Sequence, residues 1–341
     1  MDENPTTEKL WGSWTRREFL SAMINGGFAA TAGLIVYNYF KKKEPKTETF
    51  IASLTEYGRE LRQSILNGFQ ELKLTPAEVA GKRVLLKPNL VESHSGVSHI
   101  NTHPMVIRAA AEAFLQLGAA EVMVAEGAGH SRDSLLLLEE SGLADVLYED
   151  KIPFIDLNNS PVMKVKNLGK RSKLGDLILP EKFLRADVVV SLPKMKTHHW
   201  AGVTLSMKNM FGIMPGILYG WPKSVLHCAG ITESILDINA TVKTHVAIVD
   251  GIVGMQGDGP IMGSPVQSNV LVMGRNFPAV DATCARIMGI NPNKIPYLRA
   301  ASGWLGAIKE TNIEQRGENI GSVQKNFQLL DYIPSHKEIR L

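Results

Sequence analysis

A chain of 341 residues, 44% hydrophobic and 21% charged, can bury a large core as one domain or two lobes. Its formal net charge of only +3, on basic residues scattered along the sequence, excludes a nucleic-acid surface. The two cysteines, Cys228 and Cys284, lack CxxC spacing, so no iron-sulfur cluster and no zinc knuckle is expected. Both read as small buried hydrophobes, with a disulfide between them left open.

Thr15-Arg16-Arg17-Glu18-Phe19-Leu20 opens an apolar run from Phe19 to Phe40 with no charged residue. This resembles a twin-arginine signal, because so long an uncharged stretch has no polar face to offer solvent. Ala30-Thr31-Ala32 suits cleavage, while the run up to Lys41-Lys42-Lys43 is just long enough to span a bilayer. Residues 1–45 are therefore expected to be a twin-arginine signal or a membrane anchor acting through residues 19–40. The expected location is the periplasm or the outer face of the cytoplasmic membrane, with the twin-arginine translocation machinery as a partner.

An α/β domain is expected over residues 46–325, followed by a C-terminal tail over 326–341. A helical pattern around Leu54 to Leu72 leads to Arg83-Val84-Leu85-Leu86-Lys87, a strand ended by Pro88-Asn89. Pro104 to Leu117 is helical with Gly118 as its stop, and Glu121 to Ala125 is the next strand. The alternation returns with strands at Ala186 to Ser191, Val246 to Asp250 and Val270 to Met273, and helices at Leu135 to Ser141, Gly230 to Ala240 and Ala279 to Met288. Near-continuous Val, Ile and Leu runs predict a mostly parallel sheet covered by helices on both faces, in two lobes around one crevice. The stretches Asn89 to Thr102, Gly127 to Asp133, Pro193 to Pro222 and Gly251 to Pro265 follow strands and should converge on that crevice.

The richest segment runs from Pro193-Lys194-Met195-Lys196-Thr197-His198-His199 through Lys208-Asn209 to His227. Its histidines are suited to proton exchange or metal ligation and its lysines to nucleophilic attack, cofactor tethering or anion clamping. Glu126-Gly127-Ala128-Gly129-His130 places His130 as an acid or base beside a glycine turn that lacks the third glycine of a dinucleotide fingerprint; a plain turn with a helix-capping serine is the alternative. Asp250 to Gly263 carries five glycines, Gly257 and Gly259 among them, and reads as an anion or cofactor cradle with Asp250 and Asp258 as metal or hydroxyl contacts; a set of tight turns is the alternative. Lys87 and Asn89 would contact phosphate or carboxylate from the end of the first strand, with a solvated lysine as the alternative. His94, His99 and His103 fit no zinc spacing, and Asp281 reads as a helix cap.

Lys87-Pro88-Asn89, Pro193 to His198, Lys208-Asn209-Met210-Phe211-Gly212 and Asp250-Gly251 through Gly259-Pro260 resemble the domain of unknown function 362 family over most of the mature chain. The family name carries no activity. A more distant resemblance is to lactate racemase, which implies a nickel-pincer nucleotide tethered to a lysine, a histidine on the nickel and two histidines exchanging the substrate proton. On that resemblance His130 and His198 match the proton-exchanging pair, Lys208 the tether and His227 the metal ligand. The interval from Lys208 to His227 is longer, and no Asp-x-Thr-Arg motif stands at Lys87-Pro88-Asn89, so the resemblance points to shared ancestry more than to a shared reaction.

The expected function is an exported enzyme acting on a small anionic substrate, racemase-like, isomerase-like or oxidoreductase-like. His130, His198 and Lys208 would be catalytic, Lys87, Asn89, Lys194, Lys208, Gly257 and Gly259 would bind the cofactor or anion, and His227 would bind metal. The cofactor is unidentified, with the nickel-pincer nucleotide a candidate. The alternatives are a non-catalytic periplasmic anion- or metal-binding protein, and a membrane-attached assembly factor.

Overall fold

Arg83–Pro88 and its neighbours show why unbroken apolar runs mark strands buried on both faces. Val84 and Leu86 enter one hydrophobic core and Leu85 the other; Val188, Val190 and Leu192 likewise oppose Val189. Alternate side chains leave opposite faces of a strand, so each face must be apolar when helices cover both.

The computed structural model describes residues 9–10, 14–15, 46–130 and 133–341, in two units, Met1–Glu44 and Pro45–Leu341. In the first, β1 (Lys9–Leu10) and β2 (Trp14–Thr15) form an antiparallel pair. The remainder of the expected signal, including its apolar run, lies outside the described residues. Among the described residues no helix is long and apolar enough to cross a membrane.

The second unit is built on a ten-stranded sheet. Its strands are β3 (Thr47–Ser53), β4 (Arg83–Pro88), β5 (Glu121–Glu126), β6 (Phe154–Asp156), β9 (Val188–Leu192), β10 (Lys194–His198), β11 (Gly202–Thr204), β12 (Val246–Gln256), β13 (Ser264–Gly274) and β14 (Ile313–Gly317); a separate hairpin is made by β7 (Val162–Val165) and β8 (Leu177–Pro180). The order is β14-β3-β13-β12-β9-β4-β5-β6, with β10 on the far part of β12 and β11 paired to β10. From β12 through β9, β4 and β5 to β6 every pairing is parallel.

Helices Glu60–Glu71, Pro104–Gln116, Ser134–Glu140 and Leu143–Glu149 contribute to the core on one face of the sheet, and Ile231–Thr241, Phe277–Ile287 and Pro296–Ala301 to the core on the other. The mostly parallel, doubly covered sheet matches the sequence reading. The two expected lobes are instead one compact unit, Pro45–Leu341, because the sheet runs uninterrupted through its middle.

Three further expectations change. The strand at Val270 to Met273 belongs to β13, which is antiparallel to both β12 and β3, since a short turn joins it to β12 where a parallel strand needs a crossover. The glycine-rich stretch after Asp250 begins inside β12. A Cβ at Gly251 would stand 2.8 Å from Met195 Cε and one at Gly254 2.9 Å from the Met195 carbonyl, so these glycines let β10 pack tightly against β12. Residues 326–341 are no tail: Phe327 is fully buried, and the Ser335 hydroxyl donates to the carbonyls of His198 (3.0 Å) and His199 (2.9 Å).

Candidate functional site

At the carboxyl ends of β4 and β5 a cavity of about 430 Å³ opens between loops. All four stretches expected to converge contribute to its wall: Asn89 to Glu92, the turn bearing Gly127 and His130, the segment from His198 to Pro222, and Asp258 to Met262. This is where ligands bind in open parallel sheets, because consecutive strands deliver their loops to a common edge.

At its floor lies a buried ion pair. Lys87, on β4, donates to Glu126 Oε2 (2.8 Å), to Asn209 Oδ1 (2.9 Å) and to the Pro88 carbonyl (2.9 Å). Glu126 also accepts from the backbone N–H groups of Leu90 (3.0 Å) and Gly127 (2.9 Å). Burial lowers the Lys87 pKa while Glu126 opposes the shift. The pair is neutralised internally, so Lys87 serves to fix three strand-end loops and is not a free clamp. Gly212 is required above it: a Cβ there would collide with Glu126 and Lys87.

Lys194 leaves the site altogether. Its ammonium donates to Asp250 Oδ2 (2.6 Å), the Ser98 carbonyl (2.7 Å), Tyr57 Oη (3.1 Å) and the Val253 carbonyl (3.2 Å), and neither ion of the pair is exposed. The anion-binding role expected of Lys194 is thus corrected: with four acceptors it is a structural cation, and Asp250 is its counterion. Lys196 is similarly absorbed, donating to the Ile100 carbonyl (2.6 Å).

Gly257 and Gly259 do not line the cavity. Gly257 has φ +79, the left-handed conformation glycine adopts freely, and its carbonyl accepts from the Thr197 hydroxyl (2.8 Å). A Cβ at Gly259 would strike the Thr197 backbone. The cradle reading therefore gives way to turn geometry, and Asp258, Pro260, Ile261 and Met262 form the wall beside them.

Lys208 has very different surroundings. It sits on the helical turn Ser206–Asn209, whose first N–H groups are capped from a distant helix: Asp281 accepts from Ser206 N (2.7 Å) and Met207 N (3.1 Å), and from the Tyr297 hydroxyl (3.2 Å). Capping by Asp281 was expected, though for its own helix. Burial pushes the Asp281 carboxyl up to about 7 against these bonds. Lys208 Nζ lies 3.9 Å from the centre of the Phe211 ring, and among the described residues it makes no ion pair. Burial first, and the Lys87 charge second, bring its pKa down to about 7.

Histidines 130, 198, 199 and 227 all line the same cavity, and their hydrogen bonds fix different tautomers. His198 Nδ1 accepts from the backbone N–H groups of Trp200 (3.0 Å) and Ala201 (3.3 Å), so the proton of the neutral ring resides on Nε2. The Nδ1 of His227 faces the Lys223 carbonyl at 3.0 Å; a carbonyl only accepts, so Nδ1 carries the hydrogen and Nε2 keeps a lone pair. Burial, then the Lys208 charge, lower the pKa of His198 well below the usual imidazole value and that of His227 to about 4. His130 stands at the rim with its surface largely open, and partial desolvation of its ring lowers its pKa while Glu92 pulls it back. Trp200 packs edge-on against His199 and His227, at 4.6 and 4.9 Å between ring centres.

Two buried polar atoms of the cavity wall have no partner among the described residues, Asn89 Oδ1 and Thr204 Oγ1. Buried polar atoms are ordinarily satisfied, so unpartnered ones on residues that line a cavity are candidate contacts for ligand groups. Asn89 is thus kept as a candidate contact, and Thr204 is added to it. Sequence reasoning also missed Lys223, whose ammonium is buried against Asn158; no local motif surrounds it. Glu126 was legible beside Gly127, but its role depends on Lys87 across the sheet.

Among the described residues no three His, Cys, Asp or Glu side chains cluster closely enough to hold a metal ion. The Nε2 of His227 is one free donor, which fits a group bringing the rest of its own coordination and does not fit a metal held by side chains alone.

Residues 84–286, more than half of the chain, match the model of the family described as domain of unknown function (DUF362). The thylakoid-associated protein sll1697 of Synechocystis sp. is 27% identical over 223 residues, 64% of this chain and 67% of that protein. The lactate racemase apoprotein from Thermoanaerobacterium thermosaccharolyticum aligns in structure with a TM-score of 0.45 and 13% identity, covering 72% of this chain and 58% of its own. A protein from Thermotoga maritima aligns with a TM-score of 0.39 and 11% identity, over 66% and 57%. The chain therefore spans less than two thirds of either solved structure.

Proposed function

The chain belongs to the domain of unknown function 362 family, and from that premise we propose that its crevice binds a small anionic molecule and acts on it through the Lys208 amine, as nucleophile or as the attachment point of a cofactor. The state of Lys208 carries this reading. A lysine with a pKa of about 7 and no carboxylate partner is in large part a free amine at neutral pH, the form that makes covalent bonds. The residual charge of the crevice lysines attracts an anion, and Asn89 Oδ1 and Thr204 Oγ1 await polar groups of the ligand.

Around Lys208 the histidines have separate tasks. His227 offers the Nε2 lone pair as a base or as one metal ligand. His198, protonated on Nε2, donates a hydrogen bond to a ligand oxygen and does not take up a proton there. A nickel-pincer nucleotide or similar group attached through Lys208 would use His227 as its protein ligand and supply the electron- or hydride-accepting centre that side chains lack. A binding protein without turnover is the second reading, favoured by the donor tautomer of His198.

We also propose export by the twin-arginine route, on the strength of Arg16-Arg17 and the uncharged run behind them. Replacing both arginines by lysine should retain the protein in the cytoplasm; unchanged fractionation would refute this.

The test of the site is the intact mass and metal content of the protein from its native host, for wild type and for Lys208→Ala. An adduct lost in the variant supports attachment through Lys208. An unmodified, metal-free wild type that nevertheless turns over an anionic substrate leaves Lys208 as a nucleophile, and an unmodified wild type indistinguishable from the variant in binding and turnover contradicts the reading.

A further inference from the structure

Lys223 is the third crevice lysine whose position differs from that of a solvated cation. It lines the cavity yet is only 2% exposed. Its backbone is left-handed, with φ 67, a conformation that costs a non-glycine residue energy and that persists where surrounding contacts enforce it. Those contacts are specific. The ammonium donates to Asn158 Oδ1 and to the Met214 carbonyl, and Asn158 is itself fixed, accepting from Gly216 N (2.8 Å) and donating to the Ala128 carbonyl (3.1 Å). Neither acceptor on the ammonium is a carboxylate, so its charge is solvated by dipoles but not neutralised.

An ammonium has three N–H bonds. Two are taken by Asn158 and Met214, and the third is left for the cavity that the residue lines. Resting on the reading that the crevice takes a small anion, we propose that Lys223 is the fixed cation that receives the ligand's acidic group, a carboxylate or a phosphate, the role expected from sequence for Lys194. Lys208, held only over a ring, is then free to approach the reacting part of the same molecule. The Lys223 carbonyl also holds His227 Nδ1, so one residue positions both the anion and the imidazole.

The experiment is calorimetric titration of the full chain with inorganic phosphate and with oxalate as separate probes. Wild type, Lys223→Met and Asn158→Asp are compared; the second variant keeps the lysine but gives it a carboxylate partner. Both variants should lose about tenfold or more in affinity for whichever probe wild type binds, equivalent to about 1.4 kcal/mol, and the better probe identifies the acidic group. If Lys223→Met does not fold, Asn158→Asp decides alone. Wild-type affinity in a folded variant overturns the assignment of Lys223 while leaving the anion site standing. Failure of wild type to bind either probe overturns the underlying anion reading and this assignment with it.

Discussion

Lys194 and Lys208 come from one lysine-rich segment and end in opposite conditions. Lys194 is enclosed by four oxygen acceptors and a counterion, Asp250. Lys208, at the cavity, faces an aromatic ring and no carboxylate. Both amines are desolvated, but only the first is compensated, so the same residue type is structural in one place and chemically available in the other. The difference lies in the counterion and in access, since Lys194 is fully buried and Lys208 is partly exposed at the cavity.

The largest expected effect comes from breaking the compensated side. Lys194→Met leaves Asp250 buried without its cation and should cost about 3–5 kcal/mol in a denaturant titration. Tyr57 and His103, stacked at 3.7 Å between ring centres, share the cluster, with the Tyr57 hydroxyl donating to Asp250 Oδ1 (3.0 Å). A loss under about 1 kcal/mol would mean that the pair is not what holds β10 to β12.

Removing the cap under Lys208 is the intermediate case. Asp281→Ala deprives Ser206 N and Met207 N of their acceptor and should cost about 1–2 kcal/mol. It should also loosen the turn that presents Lys208 and lower activity or adduct formation with it. Retained activity at reduced stability would separate the cap from the site.

The Lys208 side yields an effect that varies with pH and whose sign is diagnostic. In the unfolded chain Lys208 titrates near its ordinary value of 10.5, and in the folded protein at about 7. Between those values the unfolded state binds the extra proton, so this group's contribution rises in favour of folding as pH increases across the window. The penalty is fully present below about 7 and relieved above about 10.5. Stability of wild type relative to Lys208→Met should follow that course; a difference independent of pH would deny the shift. Least in energy but sharp in outcome is the histidine assignment. Nitrogen-15 NMR should place the proton on Nε2 of His198 and on Nδ1 of His227, and the reverse would exchange their roles.

Much of the fold was legible because strand runs and helix stops are local. Arg83 to Lys87, Glu121 to Ala125 and Ala186 to Ser191 announce strands by continuous apolar character, and their order places the crevice. The direction of β13 was not legible, since it depends on the length of the link to β12. The site was legible only as a neighbourhood. His130, His198, Lys208 and His227 do meet, but Lys194 carries no local mark distinguishing it from Lys208, because its counterion lies 56 positions away. Lys223 was invisible for the same reason, its partner Asn158 being 65 positions distant.

The central claim, a free and reactive amine at Lys208, is tested most directly by following site-resolved modification with an amine-selective reagent against pH, read by peptide mass spectrometry. Lys208 should react with a midpoint at about 7 while surface lysines follow at about 10.4. Lys208 titrating together with the surface lysines would contradict the account.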